Sequence, residues 1–138
     1  TKEDFWKFQL NVASKEGYGT YKYPHKYFSE LKKISDYCVK NRIKLIFFIP
    51  PTHVELQNKI KEYNLQFYEE KFKADLKRLG DVYDFDYPND ITRNTDNFRD
   101  PFHCNDSIGE IVVKEIFNPK NNKYAKYSKF DLNNNVLN

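Results

Sequence analysis

Along residues 24–41 the apolar positions Tyr27, Phe28, Leu31, Ile34 and Cys38 recur three and four residues apart, with Lys32, Lys33, Asp36, Lys40 and Asn41 between them. That spacing predicts an amphipathic helix with one buried face. Pro24 suits its first turn, where a missing N–H costs nothing. Residues 43–49 then run without polar alternation after Lys44 and stop at Pro50-Pro51, which predicts a strand covered on both faces, as inside a parallel sheet. Thr52 and Glu55 have capping-box spacing at the start of a short helix whose inner face is Leu56, Ile60 and Tyr63. A further helix is predicted over 67–79, with Tyr68, Phe72, Leu76 and Leu79 inward and Gly80 as its stop. Residues 82–86 read as the next strand, with Tyr83, Phe85 and Tyr87 on one side, Asp84 and Asp86 on the other, and Pro88 ending it. After a polar loop over 89–100, Ile108, Val112, Val113, Ile116 and Phe117 mark a last helix, with Ser107 and Glu110 at capping-box spacing. A short helix over 5–13 precedes Gly17 and Gly19, and the Asn-rich stretch beyond Asn118 reads as a solvated, frayed tail.

The order helix, strand, helices, strand, helix predicts an α/β fold with helices crossing between parallel strands. Three segments follow from it: residues 1–22 of unassigned structure, an α/β portion over 23–118, and a tail over 119–138. Two strands are too few, because a parallel sheet needs cover on both faces and neighbours at its edges. The 45–49 strand asks for a partner on each side. The pattern is that of half a sheet, its other strands coming from elsewhere in the polypeptide, from a partner, or from segments not recognisable as strands.

Composition narrows the class. The chain has 138 residues, enough for one modest core, and its 12 Phe and 11 Tyr argue for packing rather than disorder. The net charge is +3 with Lys and Glu interspersed, lacking the basic stripe of a nucleic-acid binder. The densest basic stretch, residues 120–129, lies in the tail and reads as solvated. Cys38 falls on a helix face and Cys104 directly follows His103; no C-x-x-C or His/Cys cluster suggests a metal. No run approaches the roughly 18 apolar residues of a membrane span. The chain begins at Thr1 with neither an initiator Met nor a signal peptide, so we expect a piece of a longer polypeptide, whose compartment its own ends do not reveal.

Asp100-Pro101-Phe102-His103 is the candidate chemistry. A serine that cleaves an ester needs a base to take its proton and a carboxylate to hold that base in one tautomer. A spacing of three lets Asp100 bond one nitrogen of His103 while the other faces a nucleophile, with Pro101 stiffening the link and Phe102 anchoring it. The pair follows the last strand and precedes a helix, at the end of a sheet where α/β enzymes place their sites. Taken alone, the same four residues also fit a helix-entry turn with an Asx-type bond.

The succession of hydrophobic strand, Pro50-Pro51, helices, the Val82-to-Asp86 strand, polar loop, and Asp100-x-x-His103 followed by Asn105, Gly109 and an apolar helix resembles the C-terminal half of SGNH/GDSL hydrolases, over about residues 24–117. The resemblance is nearest to envelope members such as D-alanyl transfer proteins and polysaccharide O-acetyltransferases. It implies a flavodoxin-like α/β/α sandwich, His103 as base with Asp100 as its orienting acid, an acyl ester of a cell-envelope glycan as substrate, and no metal or organic cofactor. It also implies an extracytoplasmic location, with any membrane anchor lying upstream. The departures are plain: no G-x-S, G-D-S or G-x-N-D block is present, and Ser14, Ser29, Ser35, Ser107 and Ser128 fall on helices or tails. The nucleophile must then come from outside these residues, and this chain alone is expected to be inactive.

His53, at the carboxyl end of the first strand, is a candidate substrate contact or simply a first-turn helix residue, and Asn105 is a second substrate-binding candidate. His25 reads as exposed. Asp84 and Asp86 fit either a second carboxylate near the site or salt bridges, Asp90 and Asp96 belong to the loop, and Tyr124, Tyr127 and Phe130 could stack on sugar rings or dock. Two functions stand: a serine-type esterase or acyltransferase lacking its serine, and a non-catalytic module that binds glycan or protein through the same cleft.

Overall fold

The computed structural model of the chain describes residues 1–118, 120 and 122–132. An N-terminal helix runs as α1 (Lys2–Phe8), a π-helical stretch over Gln9–Ala13 and α2 (Ser14–Tyr18). It therefore continues through Gly17, beyond the expected 5–13. It is followed by α3 (His25–Lys40), β1 (Ile46–Ile49), α4 (Val54–Glu62), α5 (Gln66–Lys77) and β2 (Asp81–Asp84). A short hairpin, β3 (Phe98–Asp100) and β4 (His103–Cys104), leads into α6 (Asp106–Phe117), and β5 (Lys126–Ser128) closes the order.

The fold is mixed α/β with a small sheet, in the order β1-β2-β5. β1 and β2 are parallel, pairing Ile46 with Asp81 through Ile49 with Asp84. Alternation along the strands sends side chains to two opposite faces. Ile49 and Val82 pack with Leu76 of α5, Leu31 of α3 and Phe47 on one face. Tyr83 and Phe85 pack with Val112 and Ile116 of α6 on the other. Helices thus pack on both faces of the sheet, but the two-sided cover expected of β1 is incomplete, because Phe48 is 54% exposed.

β2 is central and wholly buried, whereas β1 has a strand partner on one side only among the described residues. Beside its outer edge lies an apolar groove of about 440 Å³, where Phe48 and Pro50 face Val113 and Phe117 of α6.

The frayed-tail expectation is corrected over β5, which pairs antiparallel with β2. Its hold is polar and aromatic. Tyr127 lies against the Tyr83 ring at 4.7 Å and donates its hydroxyl to Asp81 at 2.9 Å, and Phe130 N–H donates to the same carboxylate at 2.8 Å. The buried Glu115 carboxylate of α6 accepts the backbone N–H groups of Lys123, Tyr124 and Ala125. Tyr124 and Tyr127 are thus docked on the protein.

Two helix caps also differ from expectation. Thr52 gives its hydroxyl to Asp86 (2.6 Å), and His53 becomes the N-cap of α4, its Nδ1 accepting from Glu55 N–H. Asn105, not Ser107, caps α6 by accepting from Ile108 N–H at 3.1 Å.

Candidate active-site turn

The turn between β3 and β4 is set by the chemistry of aspartate followed by proline. Asp100 Oδ1 accepts the N–H groups of Phe102 (2.8 Å) and His103 (3.1 Å), an Asx-type arrangement that tightens the chain around Pro101. The same carboxylate faces the imidazole, with Oδ2 at 2.9 Å and Oδ1 at 3.0 Å from His103 Nδ1. Asp100 is buried and His103 exposed. A buried carboxylate held by two backbone donors is fixed in position. It holds the Nδ1–H tautomer and leaves Nε2, which has no partner among the described residues, as the free acceptor.

The turn is anchored from beneath. Pro101 C=O accepts His53 N–H at 2.9 Å, and Thr92 C=O accepts Val54 N–H at 2.8 Å, tying the loop to the first turn of α4. Asn89 Oδ1 accepts from Ile91 and Thr92 N–H, and Asn97 Nδ2 donates to Ile91 C=O. The polar loop of 89–97 is thereby a braced platform.

The structure brings His53 next to this turn but turns its ring inward. His53 is buried, with the Trp6 ring at 4.8 Å and the Phe98 ring at 5.5 Å, both edge-on. Trp6 Nε1 donates to Glu55 Oε2 at 2.7 Å, clamping α1 over α4. Burial pushes the His53 pKa below its ordinary value, against the opposing charge of Glu55 and a hydrogen bond to the Arg93 backbone. Its ring is engaged as cap and core. Asn105 is engaged likewise: Oδ1 caps α6 and Nδ2 donates to Asp96 C=O at 2.9 Å.

None of the five serines bonds to His103 among the described residues. Ser14 and Ser35 are buried and donate to Leu10 and Leu79 carbonyls, Ser29 donates to His25 C=O, and Ser107 donates to Asn105 Oδ1. Burial pushes the Cys104 thiol up, away from the thiolate form. Asp84 is engaged by Lys73 at 2.9 Å, and His25 is exposed beside Tyr23. Trp6 and Phe98 frame the support beneath the turn; Phe98 stands two residues before Asp100 in the sequence pattern, whereas for Trp6 the only signal was that it is the chain's single Trp.

Among the described residues, no group of three or more His, Cys, Asp and Glu could hold a metal ion, and no helix is long and apolar enough to cross a membrane. Comparison with protein-family models, curated proteins and solved structures finds no match.

Proposed function

We propose that this chain carries the base and orienting acid of a serine-type esterase or acyltransferase of SGNH type, its α/β unit being part of a flavodoxin-like sandwich. The observation that supports the reading most directly is the Asp100–His103 pair, in which a buried, doubly hydrogen-bonded carboxylate holds Nδ1 while the exposed ring offers Nε2. A serine supplied from outside these residues attacks the acyl carbon as Nε2 takes its proton. The tetrahedral intermediate collapses, the proton passes from His103 to the leaving alcohol, and water or a second hydroxyl then releases the acyl group. Asp100 remains ionised and stabilises the imidazolium. The substrate in this reading is an acyl ester of a cell-envelope glycan.

The absence of a serine bonded to His103 among the described residues favours the second reading, a non-catalytic module that binds glycan or protein. A serine-directed fluorophosphonate separates the two. The native polypeptide carrying this chain is labelled, and His103→Ala or Asp100→Asn slows labelling by about a thousandfold or more. Equal labelling of wild type and His103→Ala overturns the assignment.

A further inference from the structure

Where the end of β1 and Asp86 beyond β2 meet α2, the 21–24 segment, α4 and α5, the fold leaves a cleft of about 370 Å³. Tyr18, Tyr21 and Tyr68 form much of its wall, Ile49 and Ile60 add apolar lining, and Glu69, Lys73 and Asp86 supply the charged atoms. The Tyr21 and Tyr68 rings are 5.6 Å apart and tilted by 58°. A cavity that is mostly aromatic and apolar, with a few convergent polar groups, is the usual form of a small-molecule site.

A count of donors and acceptors says which ligand it suits. Lys73, the one cation lining the cleft among the described residues, is already engaged: it donates to Asp86 C=O at 2.7 Å and pairs with Asp84 Oδ2 at 2.9 Å and Glu69 Oε1 at 3.1 Å. Asp86 Oδ1 accepts from Thr52 N–H, the Thr52 hydroxyl and Gln57 Nε2. Among the described residues, Asp86 Oδ2, Glu69 Oε2 and the hydroxyls of Tyr18, Tyr21 and Tyr68 make no hydrogen bond. The buried Oε1 of Gln57, whose amide holds Asp86, is also without a partner. Tyr18 keeps its proton, pushed up to about 12 by burial and by the charges of Asp86 and Glu69.

The cleft thus presents unused carboxylate oxygens and phenols, set apart from one another by apolar surface, and no unused cationic donor. An anion meets the two carboxylates of Glu69 and Asp86, with only neutral phenol hydroxyls to receive it. A purely apolar ligand leaves those oxygens desolvated without compensation. A compact cation suits the carboxylates but meets Lys73 in the wall and leaves the O–H donors of Tyr18, Tyr21 and Tyr68 without acceptors. A polyhydroxylated ring brings hydroxyl donors around its rim and apolar faces for the tyrosines. The geometry points to a saccharide-binding cleft formed by Tyr18, Tyr21, Tyr68, Glu69 and Asp86.

The cleft is linked to the Asp100–His103 turn through the backbone: Thr52, which holds Asp86, is followed by His53, whose N–H donates to Pro101 C=O. Binding itself does not depend on turnover, so the inference goes beyond the hydrolase reading and is tested apart from it.

The experiment is saturation-transfer difference NMR, with affinities from titration, on the 138-residue chain. The probes are methyl β-glucoside, methyl N-acetyl-β-glucosaminide and their disaccharides, with choline and inorganic phosphate alongside. Saturable glycoside binding is expected, weakened about tenfold or more by Tyr68→Ala and by Tyr21→Ala, both at partly exposed positions. Tyr27→Ala, at an exposed tyrosine outside the cleft, leaves the affinity unchanged. The inference is overturned if no glycoside binds, if Tyr68→Ala and Tyr21→Ala bind as wild type does, or if choline or phosphate is taken in preference with the same tyrosine dependence. A fluorophosphonate result in either direction leaves this outcome intact.

Discussion

His53 shows how one side chain can be misjudged from its position along the chain. Standing after Pro-Pro-Thr at the end of β1, it offered a ring for a ligand; in the fold that ring is walled by Trp6 and Phe98 and its Nδ1 caps α4. Burial favours the neutral form, so the folded state binds fewer protons than the unfolded one, whose histidine titrates near about 6.5. A lowered histidine pKa means stability is full above that value and declines as pH falls through it toward the folded-state pKa. Protonation also removes the lone pair that accepts Glu55 N–H. We expect chemical denaturation at about pH 7.5, 6.5 and 5.5 to show a loss of stability that His53→Asn, which keeps a capping oxygen, largely abolishes. An unchanged slope in the variant sinks the assignment. The Asp100–His103 pair was legible because both groups lie within one turn. The support beneath it was not, since Trp6 and Phe98 reach His53 from 47 and 45 positions away in the numbering.

At the scale of elements, periodicity located α3, α5 and α6 to within two residues, because each carries a continuous apolar stripe over more than two turns. Their caps were less legible. A hydroxyl at the right spacing is only one claimant for an N-terminal N–H: His53 Nδ1 takes the Glu55 N–H, while the Thr52 hydroxyl donates to Asp86. β5 carried no signal at all: Lys126-Tyr127-Ser128 is short and polar, and it becomes a strand only because β2 offers it an edge. Gly80 was expected as a helix stop, but α5 ends at Lys77 with Arg78 as its C-cap and Gly80 has no positive φ; the fold gives the glycine a different reason. A Cβ there would lie 2.8 Å from Leu45 C=O and 3.1 Å from the Phe47 ring, where β2 enters the sheet beside β1. Gly80→Ala is therefore expected to lower unfolding stability by about 1–3 kcal/mol, read as a lower urea midpoint with an unchanged m-value. A midpoint equal to wild type contradicts the close approach.

Across the whole molecule, Asp81 is the joint between the C-terminal strand β5 and the centre of the sheet. Burial alone would raise its pKa, but the Phe130 N–H, Lys44 and Tyr127 outweigh it and hold the carboxyl below its ordinary value. A depressed carboxyl contributes stability above the unfolded pKa near about 3.9 and loses it as pH falls through the folded value. Below about pH 4, hydrogen exchange should accordingly open β5 at Tyr127 and Ser128 before Val82 of the central strand. Asp81→Ala should bring that opening to neutral pH. Simultaneous opening of β5 and β2 under both conditions refutes the joint.

Among the described residues the outer edge of β1 has no strand partner, which bears on how these residues behave in concentrated solution. A row of unpaired amides and carbonyls beside an exposed Phe48 is a template for any other extended chain. What restrains runaway stacking is brevity and flanking: the strand is four residues long, with Lys44 and Pro50 standing as gatekeepers at its two ends. Colloidal behaviour is thereby placed in the hands of two side chains that take no part in the fold's core.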